Sequence, residues 1–509
     1  MAHLRVAAAS FLAAGLAAVV PAAQPAPRFD VMEKSMSDLQ AAMTAKQVTS
    51  RALVQIYLDR IAAFDRQGPA LNAMIALNGR ALADADALDR ERAAGRLRGP
   101  LHGIPMVIKD NYDTADMPTT AGSIALKGSI AERDAYQVRK LREAGVVIVG
   151  KTNLHEFARG ITTISSLGGQ TRNPYDPTRN PGGSSGGTGA AVAADFAAAG
   201  MGTDTCGSIR YPAAHNNLVG LRPTMGLSSR SGIVPLAHSQ DVGGPLARSV
   251  ADVAAILDAT VGADADDPVT ARSAGHVPRT YSTSLDPNGL RGARIGVLLP
   301  LFGQDPEDLR AGSVVRSAIR TMEQQGARIV DVDLPDFPSE VDVSVIRFEF
   351  KFDLNDYLRK TPRAPVRSLA EILDKGVYLK AVEQAFQRSN EIASLDTSEY
   401  RAAVQRQAQL RDRIVKVVDD SQLTALVYPT LRRTAAKIGE PQTGGNCAAS
   451  AATGLPAITV PAGFADNGMP VGVEFLGRAF AESDLLKLAY AFENTTHARR
   501  PPPLTPRLP

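Results

Sequence analysis

Short, nearly continuous apolar runs separated by amphipathic stretches constrain this chain more than any other feature. Residues 104–108, 146–149, 295–299, 328–332, 425–428, 457–460 and 471–475 each read as a strand buried on both faces. Between them lie helical patterns at 81–95, 135–144, 313–325 and 482–494. Alternation of this kind predicts an α/β fold with helices covering both faces of the sheet. Residues 29–58 read as amphipathic helix, with caps at Ser37-Asp38 and Thr49-Ser50. Residues 345–420 read helical almost throughout and are rich in Arg, Gln and Lys, which predicts an insertion packed over the sheet. Between residues 160 and 207 Gly, Ser and Thr dominate, with one Ala-rich helix from about residue 187 to 199. No internal repeat and no linker divides residues 24–509, so one domain is expected there.

Composition sets broad limits. With 44% apolar and 21% charged residues, general disorder is excluded. Fifty-six basic against 53 acidic residues leave a net charge of +3, which gives no electrostatic case for a nucleic-acid binder. Cys206 and Cys447 cannot build a disulfide framework. One bridge between them, or two buried thiols, both stay open. At the start, a basic Met1 to Arg5 precedes a fifteen-residue apolar run and then Pro21-Ala22-Ala23. This predicts a secretory signal peptide at 1–23 and a periplasmic or secreted protein. An uncleaved anchor or a buried helix is the alternative, and no later stretch is long and apolar enough to span a bilayer.

Two motif matches fail on their context. Gly145 to Thr152 fits the P-loop pattern, but its four central residues are Val, Val, Ile and Val, which favour a strand over a phosphate cradle. Gly182 to Gly186 fits G-x-S-x-G, but a loop precedes it where a nucleophile elbow needs a strand. His155-Glu156 lacks a second histidine, and no metal site stands out.

A third set of residues belongs together. Lys109 closes the apolar run Gly103-Ile104-Pro105-Met106-Val107-Ile108, where desolvation lowers an amine's pKa and makes it a usable base. Gly182-Gly183-Ser184-Ser185-Gly186-Gly187 is followed by Gly202-Thr203-Asp204-Thr205-Cys206-Gly207-Ser208-Ile209-Arg210. With Lys151-Thr152-Asn153-Leu154-His155-Glu156-Phe157, Gln170 to Pro174, Gly220-Leu221-Arg222-Pro223-Thr224, Gly244 to Arg248 and Gly454-Leu455-Pro456-Ala457, these segments resemble the amidase signature family. The segment 349–358 is similar to secreted bacterial members, including peptide amidases.

The resemblance implies a large mixed central sheet covered by helices on both faces, with the helical insertion at about 345–420 on the substrate side. It also implies a serine amide hydrolase acting on carbon–nitrogen bonds other than peptide bonds, in linear amides. Ser208 would be the nucleophile, Ser184 a bridging serine in a cis peptide, and Lys109 the base. Backbone N–H groups of Thr205, Cys206, Gly207 and Ser208 would form the oxyanion hole, and Asp204, Arg210 and Ser185 would support the loop. Cys206 stands where many members have Gly. No metal and no cofactor are implied. The expected partner is a small-molecule or peptide amide, with no nucleic acid, and no membrane once the signal peptide is removed. The pocket walls are expected from the segment after Lys151, the insertion, and residues 446–453. Two rivals share the scaffold. One is the ammonia-making component of an amidotransferase that acts on aminoacyl-tRNA, which the signal peptide disfavours. The other is a non-catalytic binding protein, which the intact Lys109, Ser184 and Ser208 disfavour.

Overall fold

The computed structural model describes residue 3 and residues 29–508. Apart from residue 3, the expected signal peptide at 1–23 lies outside the described residues. One sheet of eleven strands runs through the molecule. The strands are β1 (Met74–Leu77), β2 (Pro105–Lys109), β3 (Val147–Thr152), β4 (Ala199–Asp204), β5 (Val219–Arg222), β6 (Val242–Ala247), β7 (Arg294–Leu298), β8 (Arg328–Val332), β9 (Ala425–Pro429), β10 (Ala457–Phe464) and β11 (Pro470–Leu476). Their spatial order is β1-β3-β2-β4-β6-β5-β10-β11-β9-β7-β8. The pairs β3/β2, β2/β4, β9/β7 and β7/β8 are parallel and the rest antiparallel, so the sheet is mixed.

Both faces are covered, and β2 shows why its sequence is apolar at every position. Met106 and Ile108 join the core beneath helices α1 (Met36–Thr44), α2 (Ser50–Phe64), α4 (Tyr136–Glu143) and their neighbours, while helix α3 (Ala81–Ala93) packs on Val54 and on Val147 of β3. Val107, one step along, faces the opposite side and packs on Ala190 to Ala194 of helix α5 (Gly186–Ala193) and beyond. The cap of helix α1 is Ser35 and not the expected Ser37, because Ser35 and Asp38 close a capping box. Thr49 caps α2.

Seven strands follow the apolar runs. The other four, β1, β4, β5 and β6, carry no such signal, and three of them are adjacent at the middle of the sheet. Strand β4 reads Ala-Gly-Met-Gly-Thr-Asp and β6 reads Val-Gly-Gly-Pro-Leu-Ala. Small residues there let helices approach closely: a Cβ on Gly200 would meet the Thr188 side chain of α5 at 2.5 Å. The Ala-rich helix expected to reach residue 199 stops at Ala193. Asp195 takes a left-handed conformation (φ 55°), and the guanidinium of the buried Arg60 binds the carbonyls of Ala194 and Asp195 at 2.9 and 3.0 Å. A C-terminal cap donated by α2 is a tertiary contact that local propensity does not encode.

Between β8 and β9 no described residue is in a strand. That stretch forms helices at Glu340–Val343, Ile346–Arg359, Leu369–Lys375, Glu383–Asn390 and Ser398–Asp420. The last packs on the sheet through Leu410, Ile414 and Val418. The Ile346–Arg359 helix and the two after it do not lie over the sheet. Phe350, Leu354, Leu369 and Phe386 pack instead on loop residues Ala121, Phe157, Val234 and Leu236, which surround the end of β2.

Candidate active site

Lys109 ends β2 and is fully buried. Its Nζ lies 2.7 Å from Ser184 Oγ and 2.7 Å from Thr203 Oγ1, and 3.5 Å from the Thr203 carbonyl oxygen. Burial drives the amine down to about 7, against the opposing pull of the more distant Asp204 and Asp241 carboxylates. Asn111 Nδ2 donates to the same Thr203 oxygen at 3.0 Å, which fixes the hydroxyl facing the amine. His155, also buried, is held near 4 by desolvation and then by the Lys109 charge, so it is a neutral neighbour.

Ser184 follows Gly183 through a cis peptide bond at the start of α5. Two groups hold its turn. His155 donates its backbone N–H to the Ser184 carbonyl at 3.0 Å. Thr163 Oγ1 donates to the Gly182 carbonyl at 2.7 Å and accepts from Gly186 N–H at 3.0 Å. Helix α5 sits hard against this region, since a Cβ on Gly187 would clash with the Asn153 carbonyl. Glycine is therefore required there by close approach.

Ser208 lies in the turn between β4 and helix α6 (Arg210–His215). The two serine segments are tied by Ser185 N–H to the Ser208 carbonyl at 3.2 Å. Lys109 and Ser184 are 0% exposed and Ser208 is 4% exposed, so Ser208 is the member of the three that an incoming molecule reaches. Ser185 turns its hydroxyl toward β4, donating to the Thr203 carbonyl at 3.2 Å and accepting from Thr203 N–H at 3.3 Å.

The turn 204–208 is organised by Asp204. Its carboxylate accepts from Gly207 N–H at 2.8 Å, Ile209 N–H at 3.2 Å, Arg210 Nε at 3.0 Å and Arg222 Nη1 at 3.1 Å. Burial raises its pKa, but the two guanidinium groups outweigh that and hold the carboxyl well below the usual range. Arg210 also pairs with Glu474. The structure departs from expectation at Gly207. That N–H is engaged by Asp204 and is not free to bind an oxyanion, whereas the N–H groups of Thr205, Cys206 and Ser208 make no hydrogen bond among the described residues. Gly207 is needed for another reason: its φ is +82° and a Cβ would enter the Tyr211 ring.

Cys206 and Cys447 are joined as a disulfide, with Cα atoms 5.1 Å apart. This resolves the open alternative of buried free thiols and fastens the 204–208 turn to the 446–453 segment. Cys206, Glu340 and Cys447 are the one group of metal-type donors gathered among the described residues, but its sulfurs are bonded to each other. It offers a metal one carboxylate only.

Three partners of the site carry no signal that the sequence alone exposes. Thr203 lies in the same motif as Ser208, and only the β2/β4 pairing shows that it faces Lys109. Asp241 binds the Thr205 hydroxyl and accepts from Leu236 and Ala237 N–H at 2.9 and 3.1 Å, while Gln240 Nε2 donates to the Thr205 carbonyl at 3.1 Å. Nothing in their local sequence marks either residue. Of two cavities of about 690 and 770 Å³, the first is lined by Asp113, Arg230, His238 and Tyr357, the second by Pro335, Glu340, Arg432 and Asn446. Neither is lined by Lys109, Ser184 or Ser208.

A buried amine of low basicity, touching one serine whose turn is bonded to that of a second, is an arrangement suited to moving a proton between hydroxyls. Known proteins resemble this chain over most of its length. Residues 52–486 match the Amidase family. The solved native peptide amidase from Stenotrophomonas maltophilia is 44% identical, with a TM-score of 0.86 over 93% of this chain and 99% of that one. An Arabidopsis thaliana protein described as Probable amidase is 35% identical over 93% of this chain and 92% of its own length. The A-type component of a glutamyl-tRNA(Gln) amidotransferase from a Synechococcus strain is 37% identical over 91% and 92%. On its family match and on its fold, the chain belongs to the amidase signature family.

Proposed function

We propose that this protein is a secreted serine hydrolase of linear carboxamides, with C-terminally amidated peptides as the substrate class, working through Lys109, Ser184 and Ser208. One observation carries the mechanism: Lys109 is buried against hydroxyl and carbonyl oxygens, 2.7 Å from Ser184 Oγ, and its amine is neutral above about pH 7. In the neutral form its two N–H groups go to Thr203, and the nitrogen lone pair faces the Ser184 hydroxyl. Ser184 passes its proton to Lys109 and takes one from Ser208. Ser208 Oγ then attacks the amide carbonyl.

The developing oxyanion is held by the N–H groups of Thr205, Cys206 and Ser208. Loss of one such donor costs about 2.7–4 kcal/mol of transition-state stabilisation. The relay then runs backwards and protonates the leaving nitrogen, so ammonia or an amine departs from a Ser208 acyl-enzyme. Water, deprotonated by the same route, releases the acid. No step calls on a metal or a cofactor.

The 44% identity to a peptide amidase supports the substrate class. The 37% identity to the A-type component of an amidotransferase supports a second reading, an ammonia-supplying partner in aminoacyl-tRNA synthesis. The basic start and apolar run within 1–23 support export and favour the first. The test is hydrolysis of a panel of peptide amides, anilides and esters by chain starting at residue 24, beside Ser208→Ala. Turnover of peptide amides that Ser208→Ala abolishes is expected. Equal rates for both proteins would remove Ser208 from the mechanism. Glutamine hydrolysis that rises only when tRNA and the other amidotransferase components are added would favour the second reading.

A further inference from the structure

The wall beside Ser184 carries a cation that the relay does not use. His155, whose N–H binds the Ser184 carbonyl, begins a tight turn in which Phe157 and Ala158 both take positive φ (51° and 58°). The turn delivers Arg159, and the chain then runs directly over the cis peptide, where a Cβ on Gly183 would lie 2.8 Å from Ile161. Ile161 packs on the cluster containing Tyr211 and Cys447, beside Cys206. Arg159 therefore stands between the serine turns and the insertion, with its guanidinium carbon 5.4 Å from the centre of the Phe350 ring.

Among the described residues its charge has no counterpart. Arg159 Nη1 is buried without a hydrogen-bond partner among the described residues. The carboxylates of the elements packed around it are committed elsewhere. Glu156 accepts from Ser123 Oγ at 2.7 Å, Ser166 N–H at 2.7 Å and Leu379 N–H at 3.1 Å. Glu349 takes Ser239 and Tyr400, and Asp353 takes His238 N–H. Other enclosed arginines are provided for: Arg210 and Arg222 share Asp204, Arg248 holds Asp195, and Arg60 gives its N–H groups to four backbone carbonyls. Burial alone acts on Arg159 and draws its pKa down to about 10, with no acid opposing it.

We infer that Arg159 is a specificity-determining residue that binds a carboxylate carried on the acyl side of the scissile amide. This rests on the amide-hydrolase reading above. An unpaired, desolvated cation is unfavourable until an anion meets it, and a guanidinium offers a planar fork that matches a carboxylate. Phe350 braces one face of the fork and leaves its edge to the ligand.

The experiment compares acetyl-glutamate α-amide with acetyl-methionine α-amide, near-isosteres that differ in charge, on wild type, Arg159→Met and Arg159→Lys. Wild type is expected to favour the glutamate compound by at least about tenfold in kcat/KM, mainly through KM, with the ratio shrinking as salt rises. Arg159→Met should bring the ratio to about one while keeping kcat on the methionine compound, and Arg159→Lys should keep part of the preference. Equal use of the two amides by wild type overturns the inference, and does so even where Arg159→Met fails to fold. A uniform loss on both amides in Arg159→Met, with their ratio intact, also overturns it by making Arg159 structural. If wild type cleaves neither these amides nor any peptide amide, the hydrolase reading itself falls and takes the inference with it.

Discussion

Lys109 and Lys151 end neighbouring parallel strands, β2 and β3, and both are fully buried, yet their surroundings differ in kind. Lys151 Nζ forms an ion pair with Asp110 at 3.1 Å and donates to the carbonyls of Tyr112 and Pro118 at 2.8 and 3.1 Å and to Thr119 Oγ1 at 3.2 Å. Among the described residues, the Lys109 amine bonds Ser184 and Thr203 only. One is a charge fully compensated within the protein, the other an amine that burial leaves poised near neutral pH. The register separates them. Pro105 and Met106 pair with Val147 and Ile148, and continuing that spacing would set Lys109 beside Lys151. A bulge after Met106 moves the partner of Lys109 to Thr152 and that of Lys151 to Ile108, so the two side chains leave opposite faces of the sheet. Burial alone thus does not make a lysine a base. What decides is whether a carboxylate shares its face.

The largest expected effect that tests this contrast is kinetic. Lys109→Ala should lower kcat/KM on a peptide amide by about 10²–10⁴-fold while the fold persists by circular dichroism. A variant within a few-fold of wild type would return Lys109 to a packing role. Lys151→Met should do the reverse. It strands Asp110 as a buried unpaired charge, so urea unfolding should show a loss of about 3–5 kcal/mol. Adding Asp110→Asn should recover part of that. If Lys151→Met were as stable as wild type, the two lysines would not differ as described.

The pH profile comes next. A protonated Lys109 cannot accept a proton, so kcat/KM should rise roughly tenfold per unit up to about pH 7 and then level off. The sign for stability is also set. Between about 7 and 10.4 the unfolded chain holds a proton on this lysine that the folded chain lacks, so stability should increase with pH across that window. Lys109→Met should flatten this slope, and an unchanged slope would mean that Lys109 is charged in the native protein.

The smallest effect is expected at Thr203, which acts through Lys109. Thr203→Val should cost about tenfold in kcat/KM and shift the midpoint of the pH profile, with Thr203→Ser restoring both. A loss with no shift in the midpoint would assign Thr203 to packing instead.

How much of this is legible in the sequence differs from element to element. Strands such as β3 and β11 declare themselves because Val, Ile and Phe on both faces have no other soluble arrangement. Strands β4 and β6 stay hidden because their glycines and alanines are chosen for close helix approach, which leaves no apolar period to read. The end of α5 is hidden for a related reason: Ala194 and Asp195 are capped by Arg60, distant in sequence. Within the site, Lys109, Ser184 and Ser208 are legible as parts of motifs. Asp241 and Gln240 are not, since each reaches the site only when the chain returns to the 204–208 turn.

By itself, then, the sequence determined the α/β class, the mixed sheet of an amidase signature protein, and which lysine and serines to inspect. Apolar patterning and motif chemistry are local properties, and a chain carries them whether or not it has folded. Only the tertiary structure decided that Cys206 meets Cys447, that Gly207 gives its N–H to Asp204, that Arg159 is left without an acid, and that Lys109 rather than Lys151 lacks a counter-charge. Each of these depends on which distant groups share a few ångströms of low-dielectric space. Electrostatic interactions there are strong and short of water to screen them, so a shift of one residue in strand register changes what a side chain can do.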